Sequence, residues 1–118
     1  MLRRQSEMKL AVLANCHDGR GNVHCRTVLA RGDSELDIRF MHDDVIEPAA
    51  SIGEHRHEHD EEVYFVVEGQ GTMILDGQRF PIGPGDVSVV RPGHSHGLVN
   101  CPAAPMRLLV FCVGPEKP

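Results

Sequence analysis

The sequence predicts an all-β fold that closes as a sandwich or barrel. Short runs rich in Val, Ile, Leu and Phe recur at regular spacing, and turns containing Gly or Pro separate them, which is typical of such folds. No segment has the periodicity of a convincing amphipathic helix. With 118 residues and no internal repeat, the chain fits one domain spanning residues 1–118.

The first half of the chain holds the less regular elements. Residues 1–22 are predicted to be an N-terminal strand or arm, and a strand at 23–30 follows and ends in a turn at 31–34. Residues 36–40 alternate apolar and polar side chains, which indicates a half-buried strand. The stretch 45–51, which contains Pro and Ala, is predicted to be a connection.

The second half holds clearer hairpin signals. Asp76-Gly77 separates two strand-like runs, and this dipeptide favours the tight turn of a β-hairpin. The Gly-Pro-Gly run at 83–85 marks another turn. The strands predicted around these turns cover residues 62–67, 72–75, 78–82, 87–90, 95–99 and 107–113.

Composition and charge argue against two classes of partner. The chain is 41% hydrophobic and 25% charged, as is usual for a globular domain. A net charge of −5 without a Lys/Arg-rich run argues against a nucleic-acid surface. Because no apolar stretch approaches the length of a membrane-spanning helix, we expect no membrane partner.

The start of the chain does not predict a secretory signal. Arg3 and Arg4 precede an apolar run at 10–14 of only five residues, whereas the core of a signal peptide needs roughly seven to fifteen. The four cysteines form no C-x-x-C pair. We therefore expect reduced thiols and a cytoplasmic protein.

The stretch at 53–69 carries the residues of a metal site. His55 and His57 are two residues apart, so both side chains lie on one face if the segment is a strand. Glu62 opens the strand-like run that follows. Imidazole suits Zn, Cu, Fe and Ni, and a carboxylate brings in harder ions such as Mn. These residues therefore predict a site for a divalent cation.

A second stretch, 85–100, reads as a strand, a Pro-Gly turn and another strand that bears histidines. Together the two stretches resemble the two motifs of the cupin superfamily. Its first motif is G-x5-H-x-H-x3,4-E-x6-G, matched here by His55, His57, Glu62 and Gly69. Its second motif is G-x5-P-x-G-x2-H-x3-N, matched by Gly85, Gly93, His96 and Asn100.

The resemblance covers nearly the whole chain, with two departures. Ala49 stands where the first motif begins with Gly, and Arg91 takes the place of the motif proline, which follows one position later as Pro92. Neither departure touches a ligand position. The resemblance implies a single-domain jelly-roll barrel, the cupin double-stranded β-helix, with both motifs inside a conserved barrel at 45–113.

The resemblance also implies a ligand set and a cofactor. The cofactor is one divalent ion per chain, Mn, Fe, Ni, Zn, Co or Cu. Three neutral imidazoles and one carboxylate leave it a net charge near +1 and an open coordination position, which distinguishes a catalytic site from a structural one. The four ligands are His55, His57, Glu62 and His96.

The polar neighbours of these ligands have weaker predictions. His59 and its neighbours Asp60 and Glu61 are predicted to be solvated residues of a turn. His94 is either a substrate-facing group or a turn residue. Tyr64 shares the parity of Glu62, so it either faces the barrel lumen and offers its hydroxyl to a ligand, or is half-buried with that hydroxyl at the surface.

Two functions from different classes are consistent with these features. The first is a metal-dependent enzyme, of dioxygenase, decarboxylase or isomerase type, acting on a small carboxylate, keto acid, diketone or sugar. The second is a non-catalytic module that binds or senses such a molecule. Short cupins labelled sugar-isomerase-like or oxalate-decarboxylase-like are the most similar group, and the fold alone does not choose between these functions.

We also expect a homodimer. Residues 9–13 form a predicted strand without an obvious place in the core pattern, and the run at 62–67 has apolar side chains on both faces. An exposed edge strand invites pairing with a second chain, most often as a two-fold dimer. Similar cupins often dimerise by exchanging N-terminal strands, so we predict an interface that includes residues 9–13.

Overall fold

The computed structural model describes residues 1–115, so the last three residues of the predicted domain lie outside it. The described residues form ten β-strands and two short 3-10 turns, at Gln5–Glu7 and Cys16–Asp18. The strands are β1 (Leu10–Ala14), β2 (Asn22–Leu29), β3 (Ile38–Ile46), β4 (Ser51–His57), β5 (Glu61–Glu68), β6 (Gly71–Leu75), β7 (Gln78–Ile82), β8 (Val87–Val90), β9 (His94–Asn100) and β10 (Met106–Val113).

The strands form two sheets that face each other. One has six strands in the order β1-β2-β3-β10-β5-β8, and the other has four in the order β4-β9-β6-β7. The neighbouring strands pair antiparallel. The strand order is that of a jelly roll, so the predicted all-β class and barrel are confirmed.

The core lies between the two sheets and follows from the alternation of side chains along each strand. In β10, for example, the side chains at Met106, Leu108, Val110 and Cys112 are buried while the intervening ones are partly exposed. The buried apolar cluster draws on both sheets. Its members are Val23, Ile46, Ala50, Ile52, Tyr64, Val66, Met73, Leu98, Met106, Leu108 and Val110.

Most predicted strands are confirmed, but the region before β4 differs. The strand predicted at 36–40 begins at Ile38 and continues to Ile46, and the predicted connection at 45–51 is confined to residues 47–50. Polar residues in the middle of β3 interrupt the apolar pattern, so the sequence did not predict the full length of this strand. Asp44 is buried there although its side chain is polar, so the hydrophobic pattern is interrupted where the strand continues.

Backbone geometry supports the predicted hairpin and places one strained residue. Asp76 and Gly77 have φ values of 48° and 79°, as a type I′ turn between β6 and β7 requires.

Ala49, at the position where the family motif has Gly, has a φ of 63°. A residue with a Cβ atom pays a steric cost in that left-handed region. Its N–H donates to the Cys101 carbonyl oxygen at 3.1 Å.

The motif residue Asn100 has a structural role, because its side chain binds the backbone of neighbouring segments. It is buried, and its Nδ2 atom donates to the carbonyl oxygens of Ile46, Glu47 and Ala104 at 3.0, 3.1 and 2.9 Å. These bonds fix the connection between β3 and β4 against the end of β9.

Within residues 1–115, no helix has the length and apolar character needed to cross a membrane.

Candidate metal centre

The four predicted ligands come together at one end of the lumen. His55 and His57 project from β4, and His96 lies on β9 directly opposite His55 in the antiparallel register. Glu62 reaches the same point from β5, in the facing sheet. Each strand contributes residues of one parity, so the alternation of side chains brings all four into the space between the sheets.

The separations of the donor atoms fit a metal ion. His96 Nε2 lies 3.1 Å from His55 Nε2 and 3.0 Å from Glu62 Oε1. Glu62 Oε1 is also 3.5 Å from His57 Nε2 and 3.9 Å from His55 Nε2. Ligands bound at 2.0–2.2 Å from one ion are about 3.0–3.5 Å apart. Four donor atoms of the right type therefore converge at close to the spacing of a coordination sphere.

One unsatisfied nitrogen strengthens this fit. His57 Nε2 is buried without a hydrogen-bond partner among the described residues. A buried polar atom without a partner is costly, and His57 Nε2 is one of the four atoms that converge. A cation at that point would satisfy it.

The charges around Glu62 favour its ionised form. Burial by itself raises the pKa of Glu62, but the three histidines close to its carboxylate outweigh burial and hold that pKa far below its usual value. The nearby Glu62 carboxylate raises the pKa of His57, whereas burial lowers the pKa of His96. A cation held by the four ligands would compensate the negative charge of the Glu62 carboxylate.

Asp60 orients His57, which makes the prediction of a solvated Asp60 wrong. Its Oδ1 accepts a hydrogen bond from His57 Nδ1 at 2.7 Å, and its Oδ2 lies 2.8 Å from Arg39 Nη1 and 3.2 Å from Cys112 Sγ. A protonated Nδ1 leaves the Nε2 lone pair of His57 facing the cluster. His55 is held similarly, with its Nδ1 2.8 Å from the Gly53 carbonyl oxygen.

His17 covers the centre, and no pattern in the sequence indicated it. Its ring stacks on that of His55, with centroids 3.6 Å apart and planes inclined by 9°. The 3-10 turn that carries His17 lies close against β4. A Cβ atom at Gly53 would come within 1.9 Å of the His17 carbonyl oxygen. A glycine at position 53 is therefore required for this approach.

Tyr64 faces the lumen. It is buried, and its ring lies 4.6 Å from that of His96. Burial raises its pKa well above the usual value, so the phenol is a neutral hydrogen-bond donor. Together with Glu62 it lines a partly open cavity of about 130 Å³.

The wall of this cavity also carries polar side chains that the sequence did not single out. Cys25 on β2 and His42 and Asp44 on β3 line it. The signal that could have indicated them is parity, because His42 and Asp44 alternate like His55 and His57.

The remaining predicted polar residues lie outside the cluster. His59 is exposed in the turn between β4 and β5, as predicted. His94 has a side chain 58% exposed, and its Nδ1 lies 2.7 Å from Asp76 Oδ2 in the β6–β7 turn. A substrate-facing role for His94 stays a prediction, whereas its contact with Asp76 ties β9 to the hairpin.

A two-sheet jelly roll with three histidines and one glutamate in its lumen defines a class of small β-barrel with a candidate metal centre. A family model described as Cupin domain matches residues 43–112. The chain therefore belongs to the cupin family.

Individual relatives agree with this assignment. An oxalate-binding protein from Thermotoga maritima is 30% identical over 100 residues, which cover 85% of this chain and 83% of the relative. A crystal structure of a predicted oxalate decarboxylase from Thermotoga maritima matches with a TM-score of 0.91 at 27% identity, over 98% of this chain and 100% of that chain.

A more distant solved structure shares the fold. The polyketide cyclase RemF from Streptomyces resistomycificus matches with a TM-score of 0.78 at 23% identity, over 100% of this chain and 83% of that chain. This likeness extends the fold assignment to every strand of the chain and carries no functional information.

Proposed function

We propose that this cupin is a metal-dependent enzyme that acts on a small carboxylate. The observation that carries the proposal is the convergence of three imidazole nitrogens and one carboxylate oxygen beside a small cavity. His55, His57 and His96 would hold one divalent ion through Nε2, and Glu62 through Oε1. When bound, the ion supplies a Lewis acid next to that cavity.

The cavity limits the size of the ligand. At about 130 Å³ it is well below the roughly 300–1,000 Å³ of sites for drug-sized molecules. A small acid with two oxygen donors fits this space best among the keto acids, diketones, sugars and carboxylates that the donor set allows. The Tyr64 hydroxyl would donate a hydrogen bond to one ligand oxygen. The His17 ring, which stacks on His55, would shield the centre from solvent.

Oxalate is the first candidate within that class. The relative named as an oxalate-binding protein and the structural match named as a predicted oxalate decarboxylase both support it. In a decarboxylation, the carbon–carbon bond of monoprotonated oxalate would break to give CO₂ and formate, with the proton ending on the formate carbon.

The second candidate function is binding without chemistry. The name of the 30% identical relative, oxalate-binding protein, favours it because that name describes binding alone. Both candidates share the ion and the carboxylate, so they differ only in whether a product forms.

The metal centre is tested first. Metal content of untagged protein, measured by elemental analysis, should fall by about one ion per chain in His96→Ala. His59→Ala is the matched control, since His59 is exposed in the neighbouring turn and should leave the content unchanged. Undiminished metal in His96→Ala would contradict the ligand assignment.

Ligand and reaction are tested next. Titration calorimetry of oxalate into metal-loaded protein should show binding that is lost in His96→Ala and weakened in Tyr64→Phe. Formate release, or O₂ uptake with small keto acids and diketones, supports the enzyme. Oxalate binding with no turnover supports the binder, and the absence of binding excludes oxalate as the ligand.

We further propose a homodimer that works in a reducing compartment such as the cytoplasm. β1 pairs with β2 of its own chain at the edge of the six-stranded sheet, and Leu10 and Val12 are 52% and 56% exposed. An open groove of about 580 Å³ beside Leu10 continues this surface. The four cysteines are free thiols, which supports a reducing environment.

A further inference from the structure

Three side chains opposite the proposed metal centre form a second group with metal-ligand chemistry. Cys25 and Asp44 face each other in the antiparallel register of β2 and β3, and His42 lies two residues before Asp44, on the same face of β3. The ligand atoms of the three residues all lie within 4.8 Å of one another. We propose that Cys25, His42 and Asp44 form a second cation site, selective for soft or borderline ions such as Zn²⁺ and Co²⁺.

The burial of Asp44 is the independent observation that points to a ligand. Asp44 is only 6% exposed, and its Oδ1 atom has no hydrogen-bond partner among the described residues. The desolvation cost of such an oxygen is normally compensated by a hydrogen bond or a cation. Asp44 also lines the partly open cavity beside Tyr64, so a cation entering there would meet this oxygen.

The protonation states of the three side chains in the metal-free protein are consistent with a site that can bind a cation. Burial raises the pKa of Asp44 to about 7 and the pKa of the Cys25 thiol to about 12. Burial lowers the pKa of His42, so this imidazole is neutral, as a ligand must be. A bound cation deprotonates a coordinating thiol outright.

Charge balance favours occupation. One thiolate and one carboxylate neutralise a divalent ion, so the occupied site adds no net charge to the lumen. The two anionic ligands would also face the net positive charge of a filled first centre. Sulfur and imidazole ligands prefer zinc-like ions to magnesium or calcium, which sets the expected selectivity.

The geometry requires a modest adjustment. Ligands around a tetrahedral zinc are about 3.5 Å apart, so a pair held at the full 4.8 Å would move together by about 1 Å. Rotation of the Cys25 and Asp44 side chains, whose backbones are already paired, supplies such a shift. The second site rests on these three residues and does not depend on the proposed function.

Cobalt titration of untagged, reduced, metal-free protein tests this proposal. Wild type should bind two equivalents of Co²⁺, and one of them should produce the near-ultraviolet absorbance of thiolate-to-cobalt charge transfer. The first centre, made of histidines and a carboxylate, lacks a thiolate and should not produce that band. The band should therefore persist in the double variant His57→Ala/His96→Ala.

Variants assign the band to one thiol. Cys25→Ser should lose the band and one equivalent, whereas Cys16→Ser, which removes the other thiol lining the cavity, should keep both. If Cys25→Ser does not fold, Asp44→Asn replaces it and should weaken the second equivalent at least tenfold. One equivalent and no charge-transfer band in wild type overturns the proposal, as does a band that survives in Cys25→Ser.

Discussion

Replacing Asp60 by Asn should weaken metal binding without removing any ligand. The two oxygens of Asp60 accept from different groups, Oδ1 from His57 and Oδ2 from Arg39 and Cys112. An Asn side chain offers only one acceptor. It must turn its NH₂ group either toward His57 Nδ1 or toward Arg39, so one donor faces another.

The expected magnitude follows from the loss of orientation. Removing the group that orients a ligating histidine typically lowers metal affinity by about 10- to 100-fold, which is about 1.4–2.7 kcal/mol. The assay is competition with a chelator of known affinity, after circular dichroism has shown that D60N is folded. The His57 ring should remain in place but lose its fixed tautomer.

Asp76→Asn is the matched control. Asp76 also accepts from a histidine Nδ1, that of His94, at the same 2.7 Å, but this pair is exposed and lies outside the cluster. D76N should bind metal as wild type does. Unchanged affinity in D60N, or an equal loss in both variants, would refute the reasoning that Asp60 acts through His57.

Three further predictions concern pH, assembly and stability. Metal should be released as pH falls through roughly 6 to 4, because the ligating imidazoles must be neutral. The nearby Glu62 raises the pKa of His57, so this histidine protonates at a higher pH than a free imidazole does. Metal retained on dialysis at lower pH would contradict histidine ligation. Removal of residues 1–14 should give a monomer or aggregate by size exclusion with light scattering, and a monomeric full-length protein would defeat the predicted dimer. In metal-free protein, burial raises the pKa of Asp44 from 3.8 to about 7. The contribution of Asp44 to the free energy of unfolding therefore falls as pH rises between these values, by up to about 4 kcal/mol. Asp44→Asn should remove this fall in denaturant titrations, and an identical pH profile in both proteins would show that Asp44 titrates normally.

The part of the site that the sequence could predict is the part encoded by spacing. His55 and His57 share a strand face wherever the strand runs, and the Asp76-Gly77 turn is a local signal that needs no tertiary information. Asp60 shows why the rest was missed. Its partners Arg39 and Cys112 are 21 and 52 residues away, so its surroundings depend on which strands become neighbours.

His17 and Asp44 were missed for the same reason. His17 belongs to an irregular turn whose position over β4 depends on the close approach at Gly53. Asp44 interrupts an apolar pattern, and a charged residue in a strand suggests solvent unless its neighbours are known. Cross-strand pairing with Cys25 is the information that the sequence lacks.

The strained backbone at Ala49 is a place where a single substitution could stabilise the protein. It is exposed, it has a φ of 63°, and its N–H bond to Cys101 would survive a change to glycine. Relief of the left-handed strain, less the added freedom of the unfolded chain, should make Ala49→Gly more stable by about 1 kcal/mol. Proteins lose function when accumulated destabilisation crosses a threshold, so this one change would let the barrel absorb a damaging substitution in its lumen.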